Sequence, residues 1–148
     1  MERDELVTDV VDALTGWTVA VVQFNGLVAT RMGVTDTALQ CLYVLFRHGP
    51  STTGELGRRV NLTSGAASRM VDRLEAAGLV RRTADPDDRR RVLVEPVPDA
   101  GRRVGELYTP LTDRLREHLA GWDPDELRRM LAFAAAAEES TDAEIRRL

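Results

Sequence analysis

The chain of 148 residues contains no lysine: all twenty of its basic residues are arginine. It has a single cysteine, Cys41, a single isoleucine, Ile145, and only 5% aromatic residues. Each scarcity excludes something. One cysteine cannot form an internal disulfide, which removes the disulfide-stapled secreted scaffolds and points to the cytoplasm. Cys41, His48 and His118 are too few and too scattered for a metal site of recognisable spacing, and no cofactor is expected. Neither a nucleophile–base pair nor a phosphate loop is visible, which argues against an enzyme. Long apolar runs are also wanting. Ala13 to Thr30 carries no formal charge, but Thr15, Thr18, Gln23, Asn25 and Thr30 interrupt it. Its N-terminal flank sets Glu2, Asp4, Glu5, Asp9 and Asp12 against Arg3, the reverse of a signal peptide. No membrane partner is expected, and the segment reads as a helix buried on more than one side, as in a subunit interface.

What is present is the composition of a folded domain, 43% hydrophobic and 30% charged, at a length that suits one domain, or one with a helical extension. Leu6, Val7, Val10, Val11, Leu14, Trp17, Val21, Phe24 and Val28 recur at helical spacing and predict a first helix over about residues 4–31. A second helix, apolar on almost every side from Ala38 to Phe46, should be buried on two faces and stop at Gly49-Pro50. Thr52-Thr53-Gly54-Glu55 reads as a capping box opening a short third helix that runs to about Val60. Thr63 or Ser64 caps a fourth, with Ala67, Met70, Val71 and Leu74 as its apolar stripe and Gly78 as its C′ residue. Two short helices across a tight turn are a helix-turn-helix candidate.

Leu79–Thr83 and Arg91–Glu95 are strand-like, and the segment from Ala84 to Arg90 between them begins with the turn former Asp85-Pro86, giving a β-hairpin with a charged tip. Val104, Leu107, Tyr108, Leu111, Leu115 and Leu119 form the stripe of a fifth helix. Asp123-Pro124 opens a sixth, carrying Leu127, Met130, Leu131, Ala134 and Ala137.

The net charge of −4 argues at face value against a nucleic-acid binder, but it is unevenly distributed. Arg47 to Arg91 holds ten arginines against six acids, whereas the remainder holds ten against eighteen. DNA responds to the local field within about 10 Å at ordinary ionic strength, and the basic segment coincides with the helix pair and hairpin.

The motifs Gly49-Pro50-Ser51, Glu55-Leu56, the run from Ser68 to Arg82 and Asp85-Pro86-Asp87-Asp88-Arg89-Arg90-Arg91 together make the chain resemble, over nearly its whole length, the MarR family of winged-helix regulators. The resemblance implies a mainly α fold with a small β-hairpin wing, a winged helix-turn-helix core flanked by N- and C-terminal dimerisation helices. It divides the chain at residues 1–34, 35–97 and 98–148. It also implies a cytoplasmic homodimer on a pseudo-palindromic DNA operator, usually a repressor, often released by a small aromatic or amphipathic effector. The family usually has a Thr or Ser cap before the fifth helix, where this chain has Val97-Pro98, and bulkier polar residues where Gly65 and Ala66 stand.

The first turns of the fourth helix would then enter the major groove. Ser64 and Ser68 can bond base edges or phosphates, Gly65 permits close approach, Ala66 could meet a thymine methyl, and Arg69 can read a base or phosphate. Arg73 either touches DNA or braces Asp72 or the hairpin. At the hairpin tip the resemblance places Arg90 in a minor groove, with Asp88 and Asp85 expected to orient Arg89 or Arg90. It places an effector crevice among the first, second and fifth helices, where Trp17, Phe24, Tyr43 and Phe46 are the aromatics to line it. Two alternatives compete: a winged helix used for protein contacts without DNA, and a redox regulator sensing through Cys41. The second is weakened by the apolar setting of Cys41, which dulls a thiol, and by the absence of a cysteine in the first helix, where relatives usually carry the sensor.

Overall fold

The structure, a computed structural model, describes residues 2–148. It contains α1 (Arg3–Met32), α2 (Asp36–His48), α3 (Thr53–Arg59), α4 (Ser64–Ala76), β1 (Val80–Ala84), β2 (Val92–Pro96), α5 (Pro98–Leu119) and α6 (Pro124–Arg147). Residues up to Leu107 form one compact unit and Tyr108–Leu148 a second. The architecture is the expected one, mainly α with a single antiparallel hairpin.

Local chemistry sets the boundaries. Thr52 Oγ1 accepts from the Glu55 N–H at 3.2 Å while Glu55 Oε2 accepts from the Thr52 N–H at 2.9 Å, so the capping box of α3 is closed from both sides. Thr63, rather than Ser64, caps α4, accepting from the Ala66 N–H at 3.2 Å. The end of α4 is a Schellman turn. The Leu79 N–H reaches back to Leu74 O and the Gly78 N–H to Glu75 O, with Gly78 in the left-handed region at φ 72°. Asp123 Oδ1 accepts from the Asp125 and Glu126 N–H groups ahead of α6, with Pro124 at its first position.

The core lies between α2, α3, α4 and the hairpin. Leu42, Leu45, Leu56, Leu74, Leu79, Val71, Val94 and Cys41 are its fully buried large side chains. Two features tighten it beyond what periodicity reveals. Gly57 of α3 faces Ala67 of α4 so closely that a Cβ on it would stand 3.1 Å from the Ala67 Cβ and from Leu62 O. The turn between these helices passes through Asn61 at φ 56°, a conformation asparagine tolerates better than most side chains. In addition, Ser51 exchanges two backbone hydrogen bonds with Val94, at 3.1 and 2.8 Å, and so adds an isolated bridge to the outer edge of β2.

Two expectations need correction. Both strands begin one residue later than their patterns suggested, because the register pairs Val80 with Pro96 and Ala84 with Val92 and leaves Arg91 in the loop. Within its unit, α2 is buried on one face only: Ala38, Leu39, Cys41, Leu42 and Leu45 are inside, while Tyr43 and Phe46 are exposed. Within the chain α1 buries only Val28, Ala29 and Met32, and exposes Leu6, Val7, Val10, Val11, Trp17, Val19, Val22 and Leu27. No helix of the described residues is long and apolar enough to cross a membrane.

Candidate nucleic-acid interface

The stripe Ala67, Met70, Val71 and Leu74 turns one face of α4 into the core. The spacing that does so leaves Ser64, Gly65, Ser68, Arg69, Asp72 and Arg73 exposed on the opposite face. Arg69 lies back along its own helix, with Nη1 3.5 Å from where a Cβ on Gly65 would stand. A guanidinium thereby lies over the first turn of α4. That turn contains no acid, whereas the first turns of the other five helices each contain at least one. A cation at the positive end of a helix is not stabilised by the helix itself. Both attract an anion from outside, and unsatisfied N–H groups at a helix start suit a phosphate.

The hairpin is clamped to the helix pair from the middle of β1 and from the end of the loop. Arg82 on β1 donates from Nη1 to Glu75 Oε1 at 2.8 Å and from Nη2 to Asp72 Oδ1 at 2.7 Å, one guanidinium bridging two carboxylates three positions apart on α4. Asp72 is thus braced by Arg82 and not by Arg73, because the pleat of β1 points Arg82 at α4. Beyond β1, Arg91 Nη2 donates to Glu55 Oε1 at 3.0 Å, and Arg91 Nε lies 3.7 Å from Asp85 Oδ2. Asp85 therefore partners Arg91, not Arg89 or Arg90; it is buried at the neck of the loop, where its Oδ1 accepts from the Asp87 N–H at 2.9 Å. The Glu55 carboxyl is held below its ordinary pKa first by the Thr52 N–H and further by the nearby arginines, Arg91 foremost.

Asp88 does hold Arg90. Its Oδ1 accepts from both the backbone N–H and the Nε of Arg90, which keeps the carboxyl below its ordinary pKa. The contact uses one oxygen of the carboxylate, so it is not a bidentate fork. Arg89 and Arg90 are both exposed.

Counting partners separates the ten arginines of the segment. Arg81, Arg82, Arg90 and Arg91 are paired with acids, and Arg47 donates to the Tyr43 hydroxyl. Among the described residues the guanidinium groups of Arg58, Arg59, Arg69, Arg73 and Arg89 have no hydrogen-bond or ion-pair partner. Arg58 and Arg59, in the last turn of α3, were missed in the sequence: Glu55 stands three and four positions before them, and only the structure shows that its two carboxylate oxygens are spent on the Thr52 N–H and on Arg91. Five of the six acids of the segment, by contrast, are engaged: Glu55, Asp72, Glu75, Asp85 and Asp88.

The aromatics proposed for an effector lie elsewhere. Trp17 is half exposed and Phe24 half-buried on α1; Tyr43 and Phe46 are exposed on α2, with Phe46 Cε1 3.7 Å from where a Cβ on Gly101 of α5 would stand. Cys41 is buried, and burial pushes its thiol pKa up to about 11. Among the described residues no cluster of three His, Cys, Asp or Glu could hold a metal ion.

A family model described as MarR family matches residues 34–92, which spans the helix pair and the first strand through its loop. The HTH-type transcriptional regulator YcgE of Bacillus subtilis is 32% identical over 99% of this chain and 95% of its own length. The chain belongs to the MarR family. A second relative, the HTH-type transcriptional repressor NicR of Pseudomonas putida, is 31% identical over 57% of this chain and 52% of its own length. A solved MarR family protein from Bacillus stearothermophilus superposes with a TM-score of 0.70 at 20% identity, over 96% of this chain and 99% of that one. The chain is a MarR-family winged-helix transcriptional regulator, and regulators of this family bind double-stranded DNA.

Proposed function

We propose that this regulator is a cytoplasmic homodimer that represses by binding a pseudo-palindromic operator and releases it when a small aromatic or amphipathic ligand binds. The observation that carries the DNA part is the segregation of charge just described. Five of the six acids of the basic segment are consumed in fixing the hairpin and capping helices, and the unpartnered arginines are left exposed on α3, α4 and the hairpin loop. On this reading Ser64, Gly65, Ser68, Arg69 and Arg73 meet the major groove and Ala66 a thymine methyl. Arg90, oriented by Asp88 and flanked by Arg89, takes the minor groove. Residues 35–97 are the DNA-binding part, and 1–34 and 98–148 the dimerisation parts.

The dimer is supported by apolar surface that one chain leaves in water. Besides α1, α6 exposes Leu131, Phe133 and Ile145 and buries no residue. Exposed apolar surface of this extent marks an interaction site, and a two-fold interface would space two α4 helices about one helical turn of DNA apart. Trp17, Phe24, Tyr43 and Phe46 are proposed to line the ligand crevice. Selection of bound fragments from the source genome tests the function. Enrichment of one inverted-repeat site beside a gene is expected, and recovery of fragments without a shared sequence contradicts it.

A further inference from the structure

Arg91 closes the hairpin loop at its neck. Its backbone N–H donates to Asp88 O at 2.9 Å and its carbonyl accepts from the Asp85 N–H at 3.0 Å. Its guanidinium reaches α3, 36 positions away in the chain, where Nη2 meets Glu55 Oε1 at 3.0 Å. Both carboxylates around it are themselves fixed. Glu55 spends Oε2 on the Thr52 N–H, which leaves Oε1 directed at Arg91. The Asp85 side chain, only 11% exposed, spends Oδ1 on the Asp87 N–H and sets Oδ2 3.7 Å from Arg91 Nε. One guanidinium thus ties the first turn of α3 to the loop that carries Arg89 and Arg90.

We propose that Glu55 and Arg91 are positioning residues for DNA binding: their pair sets the wing on the helix-turn-helix so that Arg90 and the first turn of α4 reach the duplex together. This rests on the reading that Arg90 contacts DNA. The competing assignment makes Arg91 a phosphate contact and Glu55 no more than a helix cap. The two differ in sign at Glu55. Glutamine keeps the capping box but gives up the charge that makes a bond to arginine about twice as strong as a neutral one. If Glu55 only caps, Glu55→Gln removes an acid beside the DNA surface and tightens binding. If it positions the wing, the same substitution weakens binding although a repulsive charge has gone.

The experiment is fluorescence anisotropy on the genome-selected duplex, with full-length parent, Glu55→Gln, Arg90→Ala and the double variant across a range of salt, and thermal melting of each. Glu55→Gln is expected to melt like the parent and to bind roughly three- to fivefold more weakly, the upper scale of a half-exposed ion pair. In the Arg90→Ala background it should change affinity by less than about twofold, because the contact it positions is gone. Arg91→Gln, which leaves the α3 cap intact, should show the same dependence on Arg90 and decides the matter if Glu55→Gln melts early. Binding by Glu55→Gln as tight as the parent's or tighter, or an equal loss in both backgrounds, overturns the proposal. An Arg90→Ala protein that binds like the parent overturns instead the reading that Arg90 contacts DNA, and the positioning role with it.

Discussion

A single oxygen of Asp88 holds Arg90 twice, accepting from its backbone N–H at 3.1 Å and from its Nε at 3.2 Å. The arginine side chain is nonetheless 91% exposed, so its outer nitrogens remain available to a second anion. The pairing orders the tip in advance and lowers the entropy lost when Arg90 is fixed on DNA. Arg90→Ala is expected to weaken binding and to lower the salt slope by about one phosphate-equivalent. Asp88→Ala keeps the cation, so its slope should not fall, while the order parameters of the amides from Asp87 to Arg90 should fall in NMR relaxation of the free protein.

The helix pair depends on the absence of a side chain at Gly57. Even a Cβ there stands 3.1 Å from the Ala67 Cβ and a backbone oxygen. A branched side chain cannot be accommodated without separating α3 from α4, and Gly57→Val is expected to destabilise the protein by about 1–3 kcal/mol, as overpacking does. Chemical denaturation measures this; an unchanged midpoint would show that the two helices are not held at this distance.

Cys41 should be silent near neutral pH. Its folded pKa, about 11, lies above the ordinary 9.0, so the buried group stays a thiol where an unfolded chain has a thiolate. The sign follows: stability associated with Cys41 is constant below about pH 9 and declines as pH rises toward 11. Alkylation by iodoacetamide at neutral pH is expected to be slow in the native protein and fast in denaturant, and peroxide should leave DNA binding unchanged. Rapid native alkylation, or loss of DNA binding with peroxide that a Cys41→Ala variant does not show, supports the redox reading instead.

The apolar faces of α1 and α6 predict the assembly. Light scattering at micromolar protein should return twice the 16.4 kDa of one chain. Val10→Asp and Leu131→Asp, each placing a charge at an exposed apolar position, should shift the mass toward the single chain and weaken operator binding. A single-chain mass for the parent refutes the dimer.

Most of the fold was legible because its signals are local. The capping box of α3, the Gly78 terminus, the apolar stripe of α4 and the Asp-Pro turn act within a few residues, and each is where the sequence placed it. What escaped is contact between distant residues. No periodicity announces that Ser51 pairs with Val94, that Arg82 rather than Arg73 braces Asp72, or that Asp85 belongs to Arg91; these depend on how β1 and the loop pack on α3 and α4. The local charge excess was visible in the chain, but which arginines form it was not, since that requires knowing which acids are already occupied. Arg58 and Arg59 emerge only from that accounting.

On the proposed reading, exposed arginines on α4 and the hairpin loop bind DNA, whether unpartnered like Arg69 or, like Arg90, held by one acid with the outer nitrogens free, and basic charge in general does not. The most direct test is the salt dependence of operator affinity for Arg69→Ala against Arg102→Ala, whose guanidinium is already held by Asp99 and Glu106 on α5. Arg69→Ala is predicted to reduce the slope by about one and affinity at every salt concentration, with Arg102→Ala indistinguishable from the parent. Equal slopes for Arg69→Ala and the parent, or an equal reduction by Arg102→Ala, would contradict it.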